Sequence, residues 1–158
     1  MENEFLKFSQ TAEYQTKLAD ALAEVLDAEV NLSTQQVREI LARPTGYWNN
    51  AGIYKPAGME MSISYAGGLW RSNPHWGPVN GAGNGNYIAG SSYLRPGAPE
   101  GCLIGKVGGN NSDGGSDTFA LGNFGYIPAS LEGLLWLTVN DEKRGFGDNR
   151  DSIWITVS

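Results

Sequence analysis

The chain has 158 residues, of which 41% are hydrophobic, and a formal net charge of −6 at pH 7. This length allows one ordinary domain, or a domain of about 100 residues with an appendage. The acidic balance argues against nucleic acid as a partner and suits a cation. No apolar run approaches the roughly 18 residues of a membrane span, so none is predicted.

The N-terminal sequence carries no pattern that directs export. Residues 1–7 lack the basic start and apolar stretch of a Sec-type signal peptide. The default expectation is a cytoplasmic protein, with export by a non-Sec route as the alternative.

Residues 1–46 are predicted to form a helical appendage. All 22 glycines and all five tryptophans follow Pro44, and such a shift in composition marks a structural boundary. Residues 11–28 place apolar side chains on one helix face. A shorter helix follows, with a capping box at Ser33 and Gln36 and its end at Pro44. The apolar faces are Leu18, Leu22, Val25 and Leu26 in the first helix, and Val37, Ile40 and Leu41 in the second.

These two helical faces need a partner surface. Short helices draw most of their stability from tertiary packing, so the pair cannot bury both faces well against itself. The faces could cover the chain's own following domain, or they could pair with the same segment of another subunit. We predict a homo-oligomer with residues 11–42 in the contact. Packing of the helices on the chain's own following domain is the alternative.

Residues 47–158 are predicted to form an antiparallel β-sandwich. From Met59 to Tyr65 apolar and polar residues alternate with the period of two that a strand requires. Strands without intervening helices indicate a sandwich or barrel. The run at residues 134–139 is apolar on both faces, which indicates a central strand. Short strands are expected at about residues 59–65, 101–107, 118–121, 134–140 and 152–157.

The chain does not have the residues of a nucleophilic enzyme. It has one histidine, His75, in a turn-rich loop, and no Gly-x-Ser-x-Gly motif. One cysteine, Cys102, lies in an apolar run and is interpreted as a buried, inert thiol. We therefore predict that the protein is not an enzyme.

The loop after the predicted central strand contains the most informative side chains. Asp141, Asp148 and Asn149 lie within it. Hard cations prefer several oxygen ligands, which a tight loop of acids and amides can supply. The spacing is not that of an EF-hand, so the residues alone leave two alternatives, a calcium site or an acidic hairpin loop.

Residues 59–158 resemble the LecA-type (PA-IL-like) galactophilic lectins of bacteria, which are small calcium-dependent β-sandwich domains. Four motifs recur in order, and together they are more specific than any one alone. They are Trp70 followed by Trp76-Gly77-Pro78, then Gly101-Cys102-Leu103-Ile104-Gly105-Lys106-Val107-Gly108, then Gly133-Leu134-Leu135-Trp136-Leu137-Thr138-Val139-Asn140-Asp141, and last Gly147-Asp148-Asn149.

The resemblance implies a galactose-binding-like jelly roll that holds a calcium ion with a glycan bound to it. The family holds calcium with the counterparts of Asp141, Gly145, Asp148, Asn149 and Asn73, the last through a carbonyl of an earlier loop. Two neighbouring hydroxyls of the sugar complete the metal shell. Asp141, Asp148 and Asn149 would contact the sugar as well, and an aromatic side chain would lie against its apolar face. The candidates for that aromatic contact are Phe146, Tyr87 and Tyr93.

The sequence departs from this family at two places. The family has a histidine and a glutamine that contact the sugar, whereas residues 88–92 contain neither. Asp148 stands where the family has an amide, which adds a negative charge and removes a hydrogen-bond donor. The predicted function is a calcium-dependent carbohydrate-binding module for a glycan such as a galactoside. The alternative is a non-catalytic structural subunit that uses the sandwich as a scaffold and the N-terminal helices for assembly.

Overall fold

The computed structural model describes residues 36–113 and 117–158. The first predicted helix, residues 11–28, lies outside the described residues. Ten strands and one short 3-10 helix make up the described part of the chain. They are β1 (Gln36–Leu41), β2 (Asn49–Lys55), β3 (Ser62–Arg71), β4 (Asn84–Ile88), β5 (Pro99–Glu100), β6 (Leu103–Val107), β7 (Phe119–Ala120), β8 (Phe124–Tyr126), β9 (Gly133–Val139), the 3-10 helix (Lys143–Asp148) and β10 (Arg150–Val157).

The strands form two four-stranded sheets and a separate two-stranded ribbon. The first sheet has the order β1-β10-β3-β8, the second has the order β2-β9-β6-β7, and β4 pairs with β5 in the ribbon. The pairs β10–β3, β3–β8, β2–β9, β6–β9, β6–β7 and β4–β5 are antiparallel. The prediction of a mainly β, antiparallel architecture is confirmed, and β9 is a central strand as expected.

One hydrophobic core fills the space between the two sheets. Ile63, Ile153 and Ile155 enter it from the first sheet, and Leu135 and Leu137 enter it from the second, all with no exposed surface. Each follows the period of two, because neighbouring side chains along a strand point to opposite faces. The inward-facing side chains of the two sheets therefore hold the strands, and the loops at their ends, in fixed positions.

The prediction of a second helix over residues 33–42 is wrong where the structure describes the chain. Gln36–Leu41 is strand β1 and pairs with β10, and Val37–Ser158 form one compact unit. Ile40 alone of the three predicted helix-face residues is buried, at 1% exposed, while Val37 and Leu41 face outward. The Asn49 side chain accepts from the Leu41 N–H and donates to its carbonyl. Sheet pairing has overridden a spacing that fits either element.

Strand β4 of the β4–β5 ribbon lies outside the core, whereas Glu100 of β5 is buried. Every residue of β4 is exposed or only half-buried, including Tyr87, which is 41% exposed. Cys102, just after the ribbon, is buried, and burial raises the pKa of its thiol to about 12. This agrees with an inert thiol. Among the described residues no helix is long and apolar enough to cross a membrane.

The position of β1 generates a stability prediction. Ile40→Ala should lower the free energy of unfolding by about 2–4 kcal/mol, because it removes a fully buried side chain and leaves a cavity. Val37→Ala is the matched control, and since Val37 is 52% exposed it should change stability by less than about 0.5 kcal/mol. Urea denaturation of both variants measures the difference. Equal, small losses would show that β1 does not pack on the core.

Candidate functional site

The side chain of Asn140 joins the end of β9 to the loop that precedes β6. Its Oδ1 accepts from the Arg95 N–H at 2.9 Å, and its Nδ2 donates to the carbonyls of Arg95 and Pro99 at 2.9 and 3.2 Å. The Asn140 backbone accepts from the Gly101 N–H and donates to the Cys102 carbonyl. Because Asn140 is completely buried, these bonds hold residues 95–102 in a fixed position beside Asp141.

Asp141 follows directly and is 5% exposed. Its Oδ1 accepts from the Glu142 N–H at 2.7 Å, and its backbone carbonyl accepts from the Leu94 N–H at 3.0 Å. Its Oδ2 is buried and has no hydrogen-bond partner. A buried carboxylate oxygen without a partner is costly, so this atom requires an explanation.

The 3-10 helix carries the next predicted ligands. Gly145 lies so close to Asp141 that a Cβ at position 145 would be 3.1 Å from Asp141 Oδ1. Asn149 ends the helix and is 3% exposed; its Nδ2 donates to the Ala42 carbonyl at 3.0 Å, whereas its buried Oδ1 has no partner. The loop therefore contains two unpaired, buried side-chain oxygens, on Asp141 and Asn149.

Phe146 has a different place from the one the sequence suggested. It is 5% exposed and belongs to the hydrophobic core. Its ring contacts that of Tyr47 edge-to-face, with 5.3 Å between the centroids. Phe146 therefore anchors the 3-10 helix to the core, and this packing leaves it unsuited to the predicted contact with a sugar.

An open cleft of about 280 Å³ lies at this end of the sandwich. It brings together four of the five predicted metal-site residues and one of the predicted aromatic residues, whereas Asn149 is buried and does not line it. Asn73 reaches the cleft from the loop after β3, where its Oδ1 accepts from the His75 N–H. The lining residues are Ser72, Asn73, Pro74, His75, Tyr93, Glu100, Asp141, Glu142, Arg144, Gly145 and Asp148.

Glu100 is the main cleft residue that the sequence reasoning missed. It is 2% exposed, and its Oε1 accepts from the Ser72 hydroxyl at 2.6 Å. The available signal was an acid immediately before the predicted strand that begins at Gly101. A carboxylate next to a buried strand is expected to have a specific role there, because the burial of a charged group costs free energy.

The cleft has an excess of negative charge. Burial is the main cause that raises the pKa of Asp141 to about 7; the neighbouring carboxylates of Glu100 and Asp148 contribute to this rise, while the Glu142 N–H and the Asn149 side chain act in the opposite direction. Burial also raises the pKa of Glu100, with a smaller contribution from Asp148. The cleft therefore disfavours the charged forms of Asp141 and Glu100. A bound cation would favour these charged forms again, because its positive charge attracts them.

Carboxylates alone do not make a metal site here. Within residues 36–113 and 117–158, no group of three or more histidine, cysteine, aspartate or glutamate side chains is arranged to hold a metal ion. A hard cation at the cleft would need backbone carbonyl and amide oxygens as well, such as those of Gly145 and Asn149. Mixed oxygen ligands of this kind are typical of calcium.

Comparison with known proteins supports the fold. No protein-family model matches the chain, and no curated protein matches it. Among solved structures, the chain is similar to the domain described as "EclA N-terminal domain; PllA-like lectin", with a TM-score of 0.55 and 19% sequence identity. The match covers 77% of this chain and 92% of that domain. The described part of the chain thus has a lectin-like β-sandwich fold.

Proposed function

We propose that the chain is a non-catalytic, calcium-dependent carbohydrate-binding module, with a galactoside as the expected ligand. The fold is similar to that of a lectin domain. The cleft is lined by three of the four loop residues that the sequence suggested as calcium ligands, namely Asp141, Gly145 and Asp148.

The observation that carries the proposal is the pair of unpaired oxygens. Asp141 Oδ2 and Asn149 Oδ1 are buried, belong to the same short loop and have no hydrogen-bond partner. Buried polar atoms are almost always satisfied in native proteins, so two orphans in one loop favour a ligand that accepts their lone pairs. A calcium ion fits this requirement, since it takes carboxylate, amide and carbonyl oxygens together.

The chain's own residues prepare this position. Asn140 holds the loop of residues 95–102 against the end of β9. A glycine at position 145 leaves the space that a Cβ would take next to the Asp141 carboxylate. When bound, calcium would supply coordination positions for two neighbouring hydroxyls of a sugar.

Calcium should stabilise the folded protein. For an affinity in the range of about 0.1–1 mM typical of weak extracellular sites, 10 mM calcium would add about 1–3 kcal/mol by mass action. We expect the melting temperature to rise by several degrees, and Asp141→Asn to abolish that rise. Differential scanning calorimetry with calcium and with a chelator measures the effect.

Asp148→Asn and Asp117→Asn form a matched pair for this experiment. Both remove one negative charge from an exposed aspartate, but only Asp148 lines the cleft. We expect Asp148→Asn to reduce the calcium-dependent gain and Asp117→Asn to leave it unchanged. No calcium binding to the unmutated protein at millimolar metal would remove the basis of the site.

Sugar binding should depend on the metal. We expect methyl β-galactoside to bind with a dissociation constant on the order of millimolar, because a monosaccharide offers few atoms for contact. A chelator should abolish this binding, and calcium should restore it. Titration calorimetry measures both states, and binding that persists in the chelator would assign the sugar to another surface.

A structural role for the sandwich is the second candidate, and the outer face of the first sheet favours it. Large hydrophobic side chains stand exposed on this face, and such patches often mark interaction surfaces. They include Val37, Leu41, Leu69, Phe124, Tyr126 and Trp154.

The structural alternative predicts an oligomer in which this face is buried. Trp154→Ser should then shift the assembly toward monomer, since it removes a large apolar side chain from the contact. Tyr54→Ser is the control, because Tyr54 is exposed to a similar extent but lies on the second sheet. Light scattering measures the mass, and a monomeric unmutated chain would remove this support.

A further inference from the structure

Three aromatic rings lie in sequence beside the cleft. The centroids of Trp76 and Tyr87 are 5.0 Å apart, and those of Tyr87 and Tyr93 are 6.2 Å apart. Tyr93 lines the cleft itself. The rings of Trp76, Tyr87 and Tyr93, called here the aromatic shelf, therefore lie beside the cleft, with Tyr87 of strand β4 between the other two.

The backbone fixes the inner end of the shelf to the candidate calcium loop. Tyr93 forms a bridge with Glu142, and the next residue, Leu94, donates its N–H to the Asp141 carbonyl at 3.0 Å. Trp76 follows Pro74 and His75, which line the cleft from the other side. Because both ends of the shelf are attached to cleft segments, its position relative to the acids is set by the fold.

Packing alone does not account for Tyr87. Its side chain is 41% exposed, and it belongs to a strand in which no residue is buried. An aromatic side chain that contributes to stability is ordinarily covered, since its gain comes from the area removed from water. An exposed ring held between two others presents an apolar surface next to a polar cleft, which is the common arrangement of ligand sites.

We propose that the aromatic shelf binds the second residue of an oligosaccharide whose terminal residue occupies the cleft. This rests on the carbohydrate-binding function proposed above. A pyranose ring has an apolar face of C–H groups that packs on an aromatic ring, and neighbouring sugars in a chain are separated by a distance comparable to the ring spacings. The ligand class is thus an oligosaccharide of at least two residues.

The charges near the shelf indicate that this oligosaccharide is neutral. Glu100, Asp141 and Asp148 line the cleft, together with Glu142. One arginine, Arg144, also lines it, but its side chain is 86% exposed and its Nε is paired with Glu142 Oε2 at 2.9 Å. Like charges disfavour an acidic sugar at this position, whereas hydroxyl groups meet no such repulsion.

Methyl β-galactoside and lactose test the shelf, because they share a terminal galactose and only lactose has a second sugar residue. In saturating calcium, we expect lactose to bind about three- to tenfold more tightly, in keeping with one aromatic contact. Tyr87→Ala should reduce the lactose affinity to that of methyl β-galactoside, whose own affinity stays within about twofold. Tyr87→Phe, which keeps the ring, should retain the lactose preference.

Tyr126→Ala is the matched control, because Tyr126 is an exposed tyrosine on β8, far along the chain from the ribbon. It should leave both affinities unchanged. The calcium-dependent rise in melting temperature shows that each variant is folded. If Tyr87→Ala does not fold, the comparison of the two sugars on the unmutated protein still decides the matter.

Two results separate this inference from the proposed function. Equal affinity for the two sugars, or an equal loss of both in Tyr87→Ala, overturns the shelf and leaves the calcium-dependent module in place. Failure of both sugars to bind the unmutated protein in calcium overturns the proposed function and the shelf together.

Discussion

The site depends on one buried side chain, the amide of Asn140. Its bonds to Arg95 and Pro99 hold an otherwise irregular loop against the end of β9. Together with the backbone bonds from Leu94 to Asp141 and from Gly101 to Asn140, they hold the loop that carries Glu100 and Tyr93 beside Asp141. A network of this kind is most effective when fully satisfied and buried, because each bond forms in a medium of low dielectric constant.

The same region shows the usual conflict between stability and binding. Burial of Asp141 beside Glu100 disfavours ionisation of both acids, and the orphan oxygens of Asp141 and Asn149 add the cost of lost hydration. The core supplies the compensation: the fully buried residues of β9 and β10 lie in the strands that flank this loop. Among the described residues, two of the four buried side-chain polar atoms without a partner lie in this loop, where the proposed ligand would act.

The sequence allowed correct prediction of elements whose patterns have a single interpretation. The alternation around Ile63 and the apolar run of β9 indicated strands, and the recurrence of acids and amides indicated the loop. Residues 36–41 were ambiguous, because three apolar residues in six fit a helix or a strand and only pairing with β10 decides. The β3–β10 pairing has a register shift next to Trp154. Because of this shift, the alternation of inward and outward side chains changes between Ile63 and Trp70, and both are buried. Glu100 was missed because its partners lie far away in the chain.

The exposure of strand β4 has a consequence for variation among related sequences. Substitutions in a strand whose side chains are exposed cost little folding free energy, whereas changes at Asn140 or Asp141 disturb buried bonds. Residues around the same cleft thus differ: those of the exposed strand tolerate substitution, whereas Asn140 and Asp141 are required by the structure. Selection could alter Tyr87 or its neighbours repeatedly, and so replace one glycan preference with another, without a compensating change in the sandwich.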